Sequence, residues 1–193
     1  MPKKSRNTKT KIVSAAWELF YRQGYDDTTV DDIVELSGTS KGSFYHYFES
    51  KDALLGSLSY LFDEKYEELQ DKITPDMNNF DVLLYLNREL FGLIENKIDR
   101  TLLAKLYSTQ LIKKGEKSLM DIDRFYYKLL RRTVIAGQEK GELTQTVSVN
   151  DAVRLYAMCE RAIICEWCLC GWSFSLKSYA EEVFPMMISG LKK

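Results

Sequence analysis

Proline and histidine are the scarce residues of this chain. Three prolines in 193 residues leave long stretches without a helix breaker. Ten glycines beside them are too few for a collagen-like or low-complexity chain. His46 is the only histidine, so one chain cannot build a histidine-based metal cluster. If His46 serves elsewhere, no base remains for a Ser-His-Asp triad, and two large enzyme classes drop out. No reactive constellation, cofactor motif or metal-ligand set replaces them, and the chain reads as a non-enzyme with no cofactor. The four cysteines, Cys159, Cys165, Cys168 and Cys170, crowd into one short stretch and make a poor disulfide framework. Long uncharged runs are missing as well. The longest, residues 53–62 and 167–176, are ten residues each, about half of the ~20 a membrane-spanning helix needs. The first apolar stretch, residues 12–17, is cut off by Glu18 with no small-residue cleavage site after it, which speaks against a signal peptide and for a cytoplasmic protein.

What is present suits one or two packed domains. Hydrophobic residues make up 45% and charged residues 28%, enough for a core and too apolar for disorder. The net charge of −1 hides a basic arm in which Lys3, Lys4, Arg6, Lys9 and Lys11 occur without an acid, a pattern that suits a polyanionic partner and equally a solvated terminus. Ile12, Ala15, Ala16, Leu19 and Phe20 share one face of a helix over about 8–23 that stops at Gly24. Thr29 and Asp32 resemble a capping box for a short helix with Val30, Ile33 and Val34 inside, closed by Gly38. Ser40 caps a third helix whose Phe44 and Phe48 lie on one face, and Ser50 starts a fourth. Two short helices around a glycine-containing turn, behind a longer helix, outline a helix-turn-helix unit.

The polar residues strengthen that outline. Lys41 and Lys51 each follow an N-cap, where the helix dipole disfavours a cation, so an arriving anion is expected there. Ser43, Tyr45, His46 and Tyr47 fall on the faces that Phe44 and Phe48 leave outward. His46 reads either as a groove contact or as a solvated side chain. The ordered elements Gly24-Tyr25, Thr28-Thr29, Ser37-Gly38-Thr39, Phe44-Tyr45-His46-Tyr47-Phe48 and Ser50-Lys51, within about residues 8–55, resemble the DNA-binding signature of the tetracycline-repressor (TetR) family of bacterial regulators. That resemblance implies phosphate contacts from Thr29, Tyr45, Tyr47 and Lys51, with Ser40, Lys41, Gly42, Ser43 and His46 at or near base edges. The family usually has Ala-Gly-Val where this chain has Ser37-Gly38-Thr39, which puts hydroxyls into a small interhelical contact.

Beyond Ser50 the pattern stays helical and becomes more apolar. We expect a long helix over about 51–73 ending before Pro75, a loop at 113–118, a cap from Ser118 and Asp121, and final helices over about 151–170 and 176–192 begun by Asn150 and Ser175. The expected fold is all-α, about nine helices, with residues 1–50 as the DNA-binding domain and 51–193 as an effector-binding and dimerisation domain. Leu155, Cys159, Ala162, Ile163, Trp167, Tyr179, Val183, Met186, Met187 and Ile188 give the last two helices more apolar surface than one face can bury. The surplus points to a homodimer, which the resemblance places on these two helices, and Pro185 is expected to kink the last one. The resemblance further implies a double-stranded DNA operator and a small-molecule effector bound among the middle helices. Phe62, Tyr66, Tyr85, Tyr107, Tyr126, Tyr156, Cys159, Glu160 and Trp167 are the candidates to line such a site. Glu160 and Glu166 are exposed, paired with Arg161, or turned into a cavity that takes a cation. Two alternatives remain beside a repressor released by an effector: a protein-binding or architectural DNA factor, and a thiol- or metal-responsive regulator using Cys159 to Cys170.

Overall fold

The computed structural model describes residues 3–112 and 118–193, with side chains from Thr8 onward. The side chains of Lys3, Lys4 and Arg6, and residues 113–117 of the expected loop, lie outside the described residues. Among these the chain forms ten α-helices, two single 3-10 turns and no strand. In order they are α1 (Lys3–Gln23), α2 (Val30–Ser37), α3 (Lys41–Tyr47), α4 (Lys51–Leu55), α5 (Leu58–Gln70), α6 (Asn79–Lys97), α7 (Arg100–Ile112), α8 (Phe125–Glu139), α9 (Val149–Leu169) and α10 (Leu176–Met187). No helix among the described residues is long and apolar enough to cross a membrane.

The chain divides into two compact units, Met1–Ser59 with Thr101–Leu119, and Tyr60–Arg100 with Met120–Lys193. The first is built on the stripe expected for α1: Ile12, Ala15, Ala16, Leu19 and Phe20 are all buried, together with Ile33 of α2, Phe44 of α3, and Leu103 and Leu106 of α7. The expected long helix from 51 is interrupted at Gly56 and Ser57, which separate α4 from α5. Ser57 Oγ donates to the Leu54 carbonyl and Ser59 Oγ to that of Gly56. Hydroxyls that bond nearby carbonyls compete with the helical ladder, and glycine has little helix preference to resist them.

In the second unit α10 packs on α6 and α9, and α8 packs on α6 and α9. Helix α8 is not capped by Ser118 and Asp121, as the sequence suggested. Ser118 sits in a 3-10 turn, Arg124 is the N-cap residue, and the capping carboxylate comes from α5. Asp63 Oδ1 accepts the Tyr126 N–H at 3.1 Å, and both Asp63 oxygens accept from the Arg124 guanidinium at 3.0 Å. Helix α9 starts two residues earlier than expected, capped by Ser148 Oγ on the Asp151 N–H, while Ser175 caps α10 as expected through Ser178. Pro185 lies near the end of α10, which stops at Met187 and gives way to a 3-10 turn at Ser189–Leu191.

Gly137 marks the tightest crossing. A β-carbon there would lie 2.6 Å from Leu143 Cδ1 and 2.9 Å from Asn79 Cβ. Gly137→Ala should therefore destabilise the protein by about 1–3 kcal/mol, despite alanine's better helix preference. The midpoint of urea unfolding measures it, and an unchanged midpoint would show the crossing to be loose.

Candidate functional site

The helix-turn-helix of the first unit is fixed by local capping. Thr29 Oγ1 accepts the Asp32 N–H at 3.1 Å while Asp32 Oδ2 accepts the Thr29 N–H at 2.8 Å, a reciprocal box in which aspartate replaces the usual glutamate. Gly38, at φ +62°, turns the chain out of α2, and the Gly38 and Thr39 N–H groups close onto the carbonyls of Glu35 and Val34. The two hydroxyls that depart from the family pattern satisfy each other, with Ser37 Oγ and Thr39 Oγ1 2.8 Å apart. Ser40 Oγ then caps α3 by accepting the Ser43 N–H at 3.1 Å.

Helix α3 has two distinct faces. Phe44 and Phe48 are buried, their rings 5.8 Å apart. Lys41, Gly42, Tyr45 and His46 are exposed, Tyr45 to 56%, and Ser43 and Tyr47 are half-buried. His46 and Tyr47 meet edge to face at 4.8 Å. A β-carbon on Gly42 would find only Ser40 Oγ, at 3.8 Å. Glycine in a helix costs about 1 kcal/mol relative to alanine, and no neighbour within the protein explains its presence.

Both lysines expected to await an anion already have partners. Lys41 pairs with the exposed Asp31 at 2.7 Å, and the Asp31 hydrogen bond and charge hold its ammonium above the usual lysine range. Lys51 Nζ donates to the carbonyls of Tyr25 and Thr28 at 2.6 and 2.7 Å, reaches that of Asp26 at 3.4 Å, and lies 4.2 Å from the Tyr25 ring centre. Its side chain braces the α1–α2 turn that carries Thr29. Spacing could not reveal this, because the acceptors lie 23–26 residues away. The Tyr25 hydroxyl donates to Asp52, and burial, then that carboxylate, keep the phenol protonated far above its ordinary range. From α7, Lys105 Nζ pairs with Asp26 Oδ1 at 2.7 Å.

The candidate ligand residues do not form one site. Tyr66, Tyr126 and Tyr156 gather with Glu160, all buried. Glu160 Oε2 accepts from Tyr126 Oη at 2.7 Å, and Oε1 accepts from Asn87 Nδ2 at 3.1 Å and Tyr66 Oη at 3.4 Å. Tyr156 Oη donates to the Leu83 carbonyl at 3.0 Å. Burial pushes the Glu160 carboxyl above the usual glutamate range, against the opposing pull of these donors. Of the three arrangements open for Glu160, exposure and pairing with Arg161 are both set aside, since Arg161 reaches the Tyr127 hydroxyl instead. Glu166 is exposed and accepts from Cys170 Sγ. Phe62, Cys159 and Trp167 are buried elsewhere in the second unit, and half-buried Tyr107 belongs to the first. Tyr85 instead lines a cleft of about 410 Å³ between α6 and α10, with Asp81, Asn87, Glu181, Phe184 and Pro185 among its walls. Sequence reading passed over Asn87, Asp63 and Arg124. An asparagine between Leu86 and Leu90 in an apolar stripe was the available signal for the first.

Burial raises the thiols of Cys159, Cys165 and Cys168, and hydrogen bonding to Glu166 raises Cys170, so none is tuned toward the reactive thiolate. Among the described residues no group of three or more His, Cys, Asp or Glu side chains is placed to hold a metal. On the last two helices, Cys159, Ile163, Trp167 and Ile188 are buried, whereas Ala162, Tyr179 and Met186 are exposed and Leu155, Val183 and Met187 half-buried.

Residues 12–58 match the family model described as bacterial regulatory proteins, tetR family. The chain is 29% identical over 149 residues to the uncharacterized HTH-type transcriptional regulator YvdT of Bacillus subtilis, covering 77% of this chain and 76% of that one. It is 28% identical over 189 residues to the HTH-type transcriptional regulator TtgR of Pseudomonas putida, covering 92% and 88%. In fold it resembles Thermus thermophilus FadR, with a TM-score of 0.79 at 22% identity over 94% of this chain and 93% of that one. Residues 12–58 thus carry the DNA-binding region described for the bacterial tetR regulatory proteins, and the relatives that the chain resembles over most of its length are named transcriptional regulators, not enzymes.

Proposed function

We propose that the chain is a cytoplasmic repressor that binds a palindromic operator as a homodimer and leaves it when a small effector binds. The observation that carries this reading is the outward face of α3, a row of exposed hydrogen-bonding side chains around a glycine that its own protein leaves open. Residues 1–50 form the DNA-binding domain and 51–193 the effector-binding and dimerisation domain. Ser40, Lys41, Gly42, Ser43 and His46 meet base edges in the major groove, with Gly42 admitting the close approach. Thr29, Tyr45 and Tyr47 take phosphates. Lys51 holds the turn behind Thr29 while its charge stays at the start of α4, where it favours the same backbone.

The half-exposed and exposed apolar residues of α9 and α10 form the dimer contact, which sets two α3 helices about one helical turn apart, roughly 34–36 Å. Tyr66, Tyr126, Tyr156 and Glu160 give the second domain a polar centre against which an effector is sensed, with Phe62, Tyr85, Tyr107, Cys159 and Trp167 as supporting candidates. Thermus thermophilus FadR, a repressor of similar fold, is solved with lauroyl-CoA, which supports effector control on this architecture. An effector that favours one dimer geometry by a few kcal/mol suffices to release DNA.

Selection of duplexes from a random pool by the full chain should enrich an inverted repeat with half-sites about 10 base pairs apart. If no duplex is enriched, the reading fails. On an enriched duplex, Gly42→Ala should leave the fold as stable or up to about 1 kcal/mol more stable, while weakening DNA binding. Equal affinity would show that nothing approaches Gly42 closely. Lys51→Met should lower the melting temperature, because charge-assisted bonds to carbonyls contribute about 1.5–3 kcal/mol each when sheltered and less at this half-buried site. It should also flatten the salt slope by about 0.9. A lower melting temperature with an unchanged slope would confine Lys51 to bracing. Met158→Glu with Met186→Glu, at side chains 49% and 66% exposed, should yield monomers by light scattering and reduce operator affinity. A variant that stays dimeric would move the interface elsewhere.

A further inference from the structure

The cleft between α6 and α10 is rich in hydrogen-bond acceptors and poor in free donors. At about 410 Å³ it falls within the range of small-molecule sites, roughly 300–1,000 Å³. Its apolar walls are the Tyr85 and Phe184 rings with Leu84 and Pro185, and Phe184 meets Tyr156 of the buried polar centre edge to face at 5.0 Å. Asn87 is 2% exposed and contributes to the lining. Its amide nitrogen donates to Glu160 at 3.1 Å, which leaves its amide oxygen as the acceptor that this residue can offer to the cleft it lines. A carbonyl oxygen of this kind accepts hydrogen bonds and donates none, so it suits a ligand that brings N–H groups.

The rest of the lining points to the same kind of molecule. Asp81 and Glu181 bring carboxylates. Pro185, also in the lining, has no N–H and so adds no backbone donor to this wall. The one cation of the lining, Arg88, is occupied. Its guanidinium pairs with Glu89 at 3.2 Å and lies 5.5 Å from the Tyr85 ring centre.

We propose that this cleft binds a small organic ammonium ion with an aromatic or branched apolar body, its N–H donors meeting the Asn87 oxygen and the carboxylates of Asp81 and Glu181. The apolar body lies between Tyr85 and Phe184, where a ring face adds attraction for the cation. A matched alcohol has one donor and no charge, and a matched acid is repelled, so charge decides among ligands of equal size. Binding stands on the cleft alone, while the view that the bound amine is the effector rests on the regulator reading above. Asn87 is the link in that case, because the residue that receives the amine also holds Glu160 of α9.

Calorimetry on the full chain with 2-phenylethylamine and tryptamine, beside 2-phenylethanol and phenylacetate, tests the site. Both amines should bind at least about tenfold more tightly than the alcohol, and the acid should bind most weakly. Asp81→Asn with Glu181→Gln, both exposed positions, should weaken the amines at least about fivefold and leave the alcohol unchanged, with the melting temperature of the variant confirming its fold. Parity of amine and alcohol, failure of both amines to bind at about 10 mM, or indifference to the double substitution would overturn the proposal. With an enriched duplex in hand, amine that saturates the site and lowers DNA affinity supports the effector role. Saturation with DNA affinity unchanged overturns that role and leaves the site itself supported.

Discussion

The helix-turn-helix unit depends on how the chain reverses between α1 and α2. Gly24, at φ +88°, lets the backbone leave α1, and the turn that follows exposes the carbonyls of Tyr25, Asp26 and Thr28 with no helix to pair them. Lys51 meets these carbonyls from the start of α4. Because a lysine ammonium is donor-only and can serve several acceptors at once, one side chain fixes the turn and with it the position of Thr29. The Lys105–Asp26 pair touches the same turn, but it is exposed, and pairs of that kind contribute about 0–1 kcal/mol. Lys51, half-buried and stacked on Tyr25, is the stronger constraint.

Two glycines show how the helices divide their duties. Gly137 is where the protein touches itself, and a single added carbon would collide with Leu143 and Asn79. Gly42 occupies open space on α3, where nothing in the protein itself calls for the absence of a side chain. The same division runs through α3 as a whole: Phe44 and Phe48 fix the helix from within, and that rigidity lets the opposite face present hydroxyls, an imidazole and an ammonium at set positions.

What could be read from the sequence was what lies close together along the chain. The Thr29–Asp32 box, the Gly38 stop, the Ser40 cap and the Phe44–Phe48 stripe each fall within four residues, and local chemistry alone determines them. The α4–α5 break was missed because an apolar stripe outweighed the carbonyl-seeking hydroxyls of Ser57 and Ser59. The cap of α8 was missed because its carboxylate, Asp63, lies 63 residues from the N–H it accepts. Glu160 could not be placed for the same reason. Its three donors come from α5, α6 and α8, at separations of 94, 73 and 34 residues. Proximity of that kind is created by packing, and a single sequence carries no direct sign of it.

The buried polar centre is itself a physical problem. Asp63 is compensated by a two-pronged Arg124, but Glu160 has only neutral donors around it. Burial therefore lifts its carboxyl above the usual range, and a raised carboxyl favours the fold while protonated and opposes it once ionised. Its contribution to stability is greatest below the ordinary glutamate range and is lost as pH rises through the lifted value. An apolar residue of similar volume would remove that burden, since buried charge commonly adds less stability than well-packed hydrocarbon. A glutamate held at the junction of α5, α6, α8 and α9 is therefore poorly explained by stability alone. It ties the packing of four helices to a few hydrogen bonds, from Tyr66, Asn87 and Tyr126, so that a change at any one of these donors is felt by all four.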